Sequence, residues 1–348
     1  MVRVARLAAP LILPASKVEA VAALLISLSL MGCSNPAPPV QASTSAQPGR
    51  FESVRLWQDA SIFELVGGMI GSARRRVMVE MYELGRRDLL RALETDAARG
   101  VSVRVITDPT VSASRRSASE LDAAGVPERA YPVDDARHQI DHVKLLIVDG
   151  VAAVGGMNWG AHSDANHDYV LETRVAPEID RLARIFDQDW TLAGGEPAPL
   201  PPLAGKIAQT SPGEEIRAML ETALRSATHR VLAEIYTLTD PEFVSLLVAA
   251  HLRGADVRIL LDPNQAYNLH AYSLLHRMGV PVLLYPIPRG ALLHAKIGLF
   301  DSELVLGSAN WTLSGLGVNH ELDIETSDPN ALAAYAARFE SDWARSGG

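Results

Sequence analysis

At 348 residues, 48% of them apolar, the chain is long enough for two ordinary domains with real cores. Its formal net charge of −9 argues against a protein whose main partner is nucleic acid, since such proteins usually carry a basic footprint. The single cysteine, Cys33, excludes disulfides within the chain, and no Cys/His spacing suggests a zinc site.

The chain opens on a targeting segment. Arg3, Arg6 and Lys17 precede an apolar run from Ala20 to Met31 that is short for a bilayer crossing. The run ends Leu30-Met31-Gly32-Cys33, which resembles the lipobox of exported bacterial lipoproteins. That resemblance implies a signal peptide over residues 1–32 and lipidation of Cys33. The mature protein would then be exported, extracytoplasmic and anchored to a membrane. Residues 33–50 are rich in Pro, Ser, Gln and Ala and read as a disordered tether.

From Phe51 onward, strand and helix patterns alternate. VMVEMY, VRVIT, VKLLIVD and AAVGG are strand-like, while RDLLRALETDAARG has helical spacing closed by Gly100. The short basic clusters Arg74–Arg76, Arg86-Arg87 and Arg115-Arg116 read as solvated faces. The second half repeats the order with VLAEIY, PEFVSLLVAAHLRG, VRILLD and HAKIGLF. RVMVEMYEL answers RVLAEIYTL, GVSVRVITDP answers GADVRILLDP, and FDQDW answers FESDW. The pattern predicts two α/β layered domains, 51–192 and 207–348, joined by the Pro/Gly-dense linker 193–206.

The chemistry lies in a duplicated motif. His142-x-Lys144-x4-Asp149 recurs as His294-x-Lys296-x4-Asp301, and each copy is followed by a glycine-led turn, GGMNW or GSANW. The chain has only four lysines, and two of them sit in this pattern. On a strand, His142 and Lys144 would face one way, as would His294 and Lys296. A pseudo-two-fold axis would bring both sets to one cleft. Neutral imidazole can attack phosphorus near neutral pH. A second imidazole can move the proton to and from the departing and arriving oxygens. Lys144, Lys296, Asn158 and Asn310 supply cations and donors for the phosphoryl oxygens, so no metal or other cofactor is expected. Asp168 and Glu321, each downstream of the histidine in its own copy, are the candidates to orient the rings.

This duplicated His-x-Lys-x4-Asp, followed by Gly-Ser-x-Asn, resembles the phospholipase D superfamily, and the flanking repeats extend the likeness over nearly all of 51–348. The resemblance implies two tandem α/β/α sandwich domains with the active site at their interface. It makes His142 the nucleophile and His294 the general acid/base. Lys144, Lys296, Asn158, Asn310 and Ser308 would bind the phosphoryl group, while Asp149 and Asp301, although part of the catalytic motif, would be mainly structural. Ser308 has no counterpart in the first copy, where Gly156 stands, so the site should be asymmetric.

The expected activity is a phosphodiesterase acting on phospholipids, by hydrolysis or phosphatidyl transfer, and catalytically complete as a monomer. Two alternatives are a metal-independent endonuclease using the same route and an inactive envelope protein that binds lipid or phosphate. Trp159, Trp311, Tyr82 and Tyr236 read as packing residues. His167 and His320 should face away from the carboxylates beside them, and Glu80 and Glu234 recur without an evident role.

Overall fold

Apolar runs alternating with amphipathic ones fold twice into the same layered unit. In the computed structural model, residues 53–194, 208–212 and 215–348 are described. The signal peptide, Cys33, the tether and nearly all of the linker expected from the sequence lie outside them. The first repeat runs β1 (Val54–Gln58), α1 (Ser61–Gly71), β2 (Arg76–Met81), α2 (Arg87–Ala98), β3 (Ser102–Thr107), α3 (Ser112–Ala123), β4 (Glu128–Ala130), β5 (Lys144–Val148), β6 (Val151–Gly155), β7 (Tyr169–Thr173) and α4 (Ala176–Gly194). The second runs β8 (Ala208–Ser211), α5 (Glu215–Ser226), β9 (Arg230–Ile235), α6 (Pro241–Leu252), β10 (Asp256–Leu261), α7 (Asn268–Arg277), β11 (Val282–Leu284), β12 (Lys296–Phe300), β13 (Glu303–Gly307), β14 (Glu321–Thr326) and α8 (Pro329–Arg345).

Each repeat forms a seven-stranded sheet. The orders are β1-β7-β6-β5-β2-β3-β4 and β8-β14-β13-β12-β9-β10-β11, the same topology twice. Strands β2, β3 and β4 run parallel, while β5, β6, β7 and β1 add antiparallel. The central strands are apolar on both faces because both are covered. Helices begin where the sequence signals them: Asp240 and Asp328 cap α6 and α8 through two backbone N–H groups each, with proline in the first helical turn.

The outer face of the first sheet packs under α1, α2 and α3, and that of the second under α5, α6 and α7. The inner faces share one core. Met78 and Leu145 from the first sheet meet Leu232 and Ile297 from the second, together with Phe186 of α4 and Phe339 of α8. Helix α4 reaches across to β8, and α8 reaches back to β1. The repeats are therefore tied along their length, and Phe51–Gly348 forms a single compact unit.

Candidate active site

Both motif strands begin later than the sequence pattern suggests. β5 starts at Lys144 and β12 at Lys296, so His142 and His294 stand just ahead of their strands. Each histidine is held there by the opposite repeat. The His142 amide donates to the His320 carbonyl at 2.7 Å, and that of His294 to the His167 carbonyl at 2.8 Å. Asp108 and Asp262 fix the same approach, accepting from the backbone N–H of Asp141 (2.6 Å) and Leu293 (2.7 Å). These aspartates close the repeated VRVITDP and VRILLDP segments.

Asp168 and Glu321 each meet a motif histidine, and the pairing is crossed. His142 Nδ1 meets Glu321 of the second repeat at 2.9 Å, and His294 Nδ1 meets Asp168 of the first at 2.8 Å. The expectation that each served its own copy is corrected. The reason lies in the backbone contacts just described, which seat each histidine beside the other repeat's β7 or β14. With Nδ1–H donated to a carboxylate, the lone pair falls on Nε2.

The two rings belong to one electrostatic site. Burial, then the charges of Lys144 and Lys296, hold His142 well below the usual imidazole range. Burial and Lys296, with Lys144 adding to them, push His294 down to about 3. Burial also lowers Lys144 to about 7 and Lys296 to about 8, against the pull of Glu321 and Asp168. Glu321 is raised to about 7, burial outweighing the nearby lysine. A dry cleft with neutral imidazoles and two desolvated ammonium groups suits a singly charged anion.

The remaining predicted residues divide. Asn158 and Asn310 are half-buried, and the side-chain oxygen of each has no hydrogen-bond partner. Ser308, expected to bind the phosphoryl group, is buried against the carboxylate of its own repeat. Its hydroxyl donates to Glu321 Oε2 at 2.6 Å and accepts from the Leu322 amide, so it positions the carboxylate that holds His142. Gly156 has no room for the equivalent hydroxyl. A Cβ there would lie 2.3 Å from Asp168 Oδ1, because the shorter aspartate draws its carboxylate closer to the chain. Asp149 and Asp301 stand at the far ends of β5 and β12, away from His142 and His294. Asp149 accepts from the amides of Arg74, Arg75 and Arg76, and Asp301 from those of Thr228, His229 and Arg230.

Sequence reasoning missed the walls of the site. Tyr82 packs edge-on to His142 at 4.7 Å and Tyr236 lies 4.8 Å from His294, with the two motif lysines 5.0 Å from these rings. Neither tyrosine is a core residue; both are half-buried. Their recurrence in register, in EMYEL and EIYTL, was the available signal. Trp159 and Trp311 are buried as packing residues.

With this geometry in place, comparison with known proteins defines the class. A family described as "Cardiolipin synthase, PLD-like domain" matches residues 67–190 and again 220–343. The chain belongs to that family. Cardiolipin synthase A of Pseudomonas fluorescens (strain SBW25) is 30% identical over 308 residues, 76% of this chain and 63% of its own length. Cardiolipin synthase A of Pseudomonas aeruginosa (strain LESB58) is 28% identical over 324 residues, 82% of this chain and 65% of its own. The chain thus spans just under two thirds of the length of these curated relatives. Among solved structures, phosphatidylserine synthase from Haemophilus influenzae Rd KW20 superposes with a TM-score of 0.63 at 13% identity, covering 84% of this chain and 86% of that one. Polyphosphate kinase from Porphyromonas gingivalis gives 0.58 at 17% identity, covering 82% and 46%. At those identities the likeness is one of fold.

Proposed function

We propose that this chain is a phosphodiester-transfer enzyme acting on phospholipids through a phosphohistidine. It would pass a phosphatidyl group to water or to an alcohol. The observation that carries this reading is the crossed pair of imidazole–carboxylate dyads sharing two buried lysines. Membership of the cardiolipin synthase family favours a lipid substrate, and a net charge of −9 disfavours a polyanion.

His142 Nε2 attacks phosphorus as the bond to the leaving oxygen breaks, and His294 gives that oxygen a proton. An acceptor hydroxyl then loses its proton to His294, attacks phosphorus and breaks the P–N bond. His294 must hold a proton for the first step, and the entering phosphodiester supplies the means. Its negative charge opposes the two lysines and raises the imidazole from about 3. Lys144 and Lys296, with Asn158 and Asn310, steady the non-bridging oxygens.

The test is to incubate purified protein with phosphatidylglycerol vesicles, and separately with plasmid and single-stranded DNA. Lipid turnover should fall roughly a thousandfold or more in His142→Ala and His294→Ala. An acid-labile phosphoryl group should appear on histidine in the wild type and be absent from His142→Ala. DNA cleavage without lipid turnover would overturn the proposed substrate.

The membrane location is part of the same proposal. No helix among the described residues is long and apolar enough to cross a membrane. An acyl chain on Cys33 would hold the cleft near its substrate and raise the effective concentration. Cys33→Ser should then move the protein from the membrane fraction to the supernatant. An unchanged distribution would eliminate the anchor.

A further inference from the structure

Two buried clusters, related by the duplication, flank the catalytic cleft. In one, His167 meets Glu234 (2.9 Å) and Asp59 (2.6 Å), with Asp342 at 3.4 Å. In the other, His320 meets Glu80 (3.3 Å) and Asp189 (3.2 Å). A tyrosine stacks on each imidazole, Tyr285 on His167 and Tyr131 on His320.

The clusters differ in their cations. Arg338 bridges Asp342 and Asp59 at 2.6 and 3.0 Å, and Arg345 reaches Asp342 at 2.8 Å. Aligning FESDW with FDQDW places Ile185 opposite Arg338 and Leu192 opposite Arg345. The second cluster therefore has the histidine and two of the three carboxylates, with no counterpart of Asp59, and neither guanidinium group. Among the described residues, no Lys or Arg forms an ion pair with Glu80 or Asp189. Both oxygens of Glu80, Asp189 Oδ2, Asp141 Oδ2 and His320 Nε2 are buried without a well-formed hydrogen bond; Glu80 Oε1 and Asp189 Oδ2 have only the ion-pair approach of His320 Nε2. Glu80 itself is fully buried. Two carboxylates at that depth, with one imidazole between them and neither guanidinium of the related cluster, are costly unless a further positive charge meets them.

We propose that Glu80, Asp189 and His320 hold a divalent metal ion of the zinc or manganese class, in a structural site distinct from the phosphoryl cleft. Ligands about 2.0–2.1 Å from a tetrahedral ion lie about 3.3 Å apart. The separations from His320 Nε2, 3.2 and 3.3 Å, match this. The ring is poised for ligation: its Nδ1 lies 3.1 Å from the Ser211 carbonyl, and donation there leaves the Nε2 lone pair directed at the carboxylates. The ligand atoms of Glu80, Asp189 and His320 all lie within 4.8 Å of one another. Imidazole with carboxylate oxygens is a donor set for zinc or manganese. The ion would join Glu80 and Asp189 of the first repeat to His320 of the second. His320 precedes Glu321, so the ion would also brace the carboxylate that orients His142. No sequence motif announced the site, because its ligands come from β2, from α4 and from the residue just ahead of β14, far apart in the chain.

The experiment uses the full chain, stripped with a chelator, reloaded with Zn²⁺ or Mn²⁺ and freed of excess by gel filtration. One equivalent should be retained per chain, and the melting midpoint should rise over that of the stripped protein. Cobalt substitution should give visible absorption showing nitrogen–oxygen ligation. Glu80→Gln and Asp189→Asn should lose the ion, while Glu234→Gln at the related position should keep it. Ile185→Arg, which restores the lost cation, should also abolish retention. If Glu80→Gln fails to fold, the wild-type stoichiometry and the Ile185→Arg arm still decide. No retention by wild-type protein would mean a buried imidazolium ion pair and overturn the proposal. Equal retention by folded Glu80→Gln, or loss in Glu234→Gln, would overturn it as well.

Discussion

Each motif imidazole meets a carboxylate of the other repeat, so on the proposed mechanism the two carboxylates should have separable effects. Glu321→Ala should slow formation of the phosphohistidine by roughly a hundredfold or more, because His142 loses its fixed tautomer. Asp168→Ala should instead leave the acid/base unsteady and slow both steps. Rapid acid-quench measurement of the phosphoenzyme separates these outcomes. The Gly156/Asp168 and Ser308/Glu321 pairs are alternative solutions of one packing problem. Gly156→Ser alone should collide with the Asp168 carboxylate and lower kcat/KM, and adding Asp168→Glu should recover part of the loss. A double-mutant cycle on vesicle substrate reads that coupling. The lysines predict a pH dependence. As pH rises through about 7 and then about 8, Lys144 and Lys296 lose charge, so inhibition by inorganic phosphate should weaken across that interval. The same depression costs stability in full below about 7, where both folded and unfolded chains are protonated. The cost fades as pH climbs toward the ordinary lysine value of 10.5.

Among the elements, the turns ending β5 and β12 give the motif aspartates a structural task. Asp149 and Asp301 sit in left-handed backbone, at φ 50° and 52°, a conformation aspartate tolerates better than most. Each gathers three amides at the start of β2 or β9, which lie beside the motif strand. Replacing either by Ala should cost about 1–3 kcal/mol of stability while leaving kcat of the folded protein near wild type. Denaturant titration beside a vesicle assay measures both. These elements also mark what the sequence could convey. The duplicated order of strands and helices, the two His-x-Lys pairs and the carboxylates at 168 and 321 were all legible, because register repeats survive in one dimension. The crossing was not, since nothing in spacing says which repeat's carboxylate a ring will meet. Tyr82 and Tyr236 were set aside as core because a strand pattern cannot show which end opens onto a cleft.

At the scale of the whole molecule, the repeats share the core formed by α4, α8 and the inner faces of both sheets. Expressed separately, 51–192 and 207–348 should each expose that face and fail to give a cooperative melt, while the pair produced together should recover one. Scanning calorimetry of the separate and combined halves decides this. The exchange of carboxylates between halves also constrains how the enzyme can move. A hinge that parted the repeats would tear both rings from their acceptors at once, disabling attack and proton transfer together. On the proposed function, a phospholipid headgroup would then have to enter a closed body, past Tyr82 and Tyr236 beside the two rings.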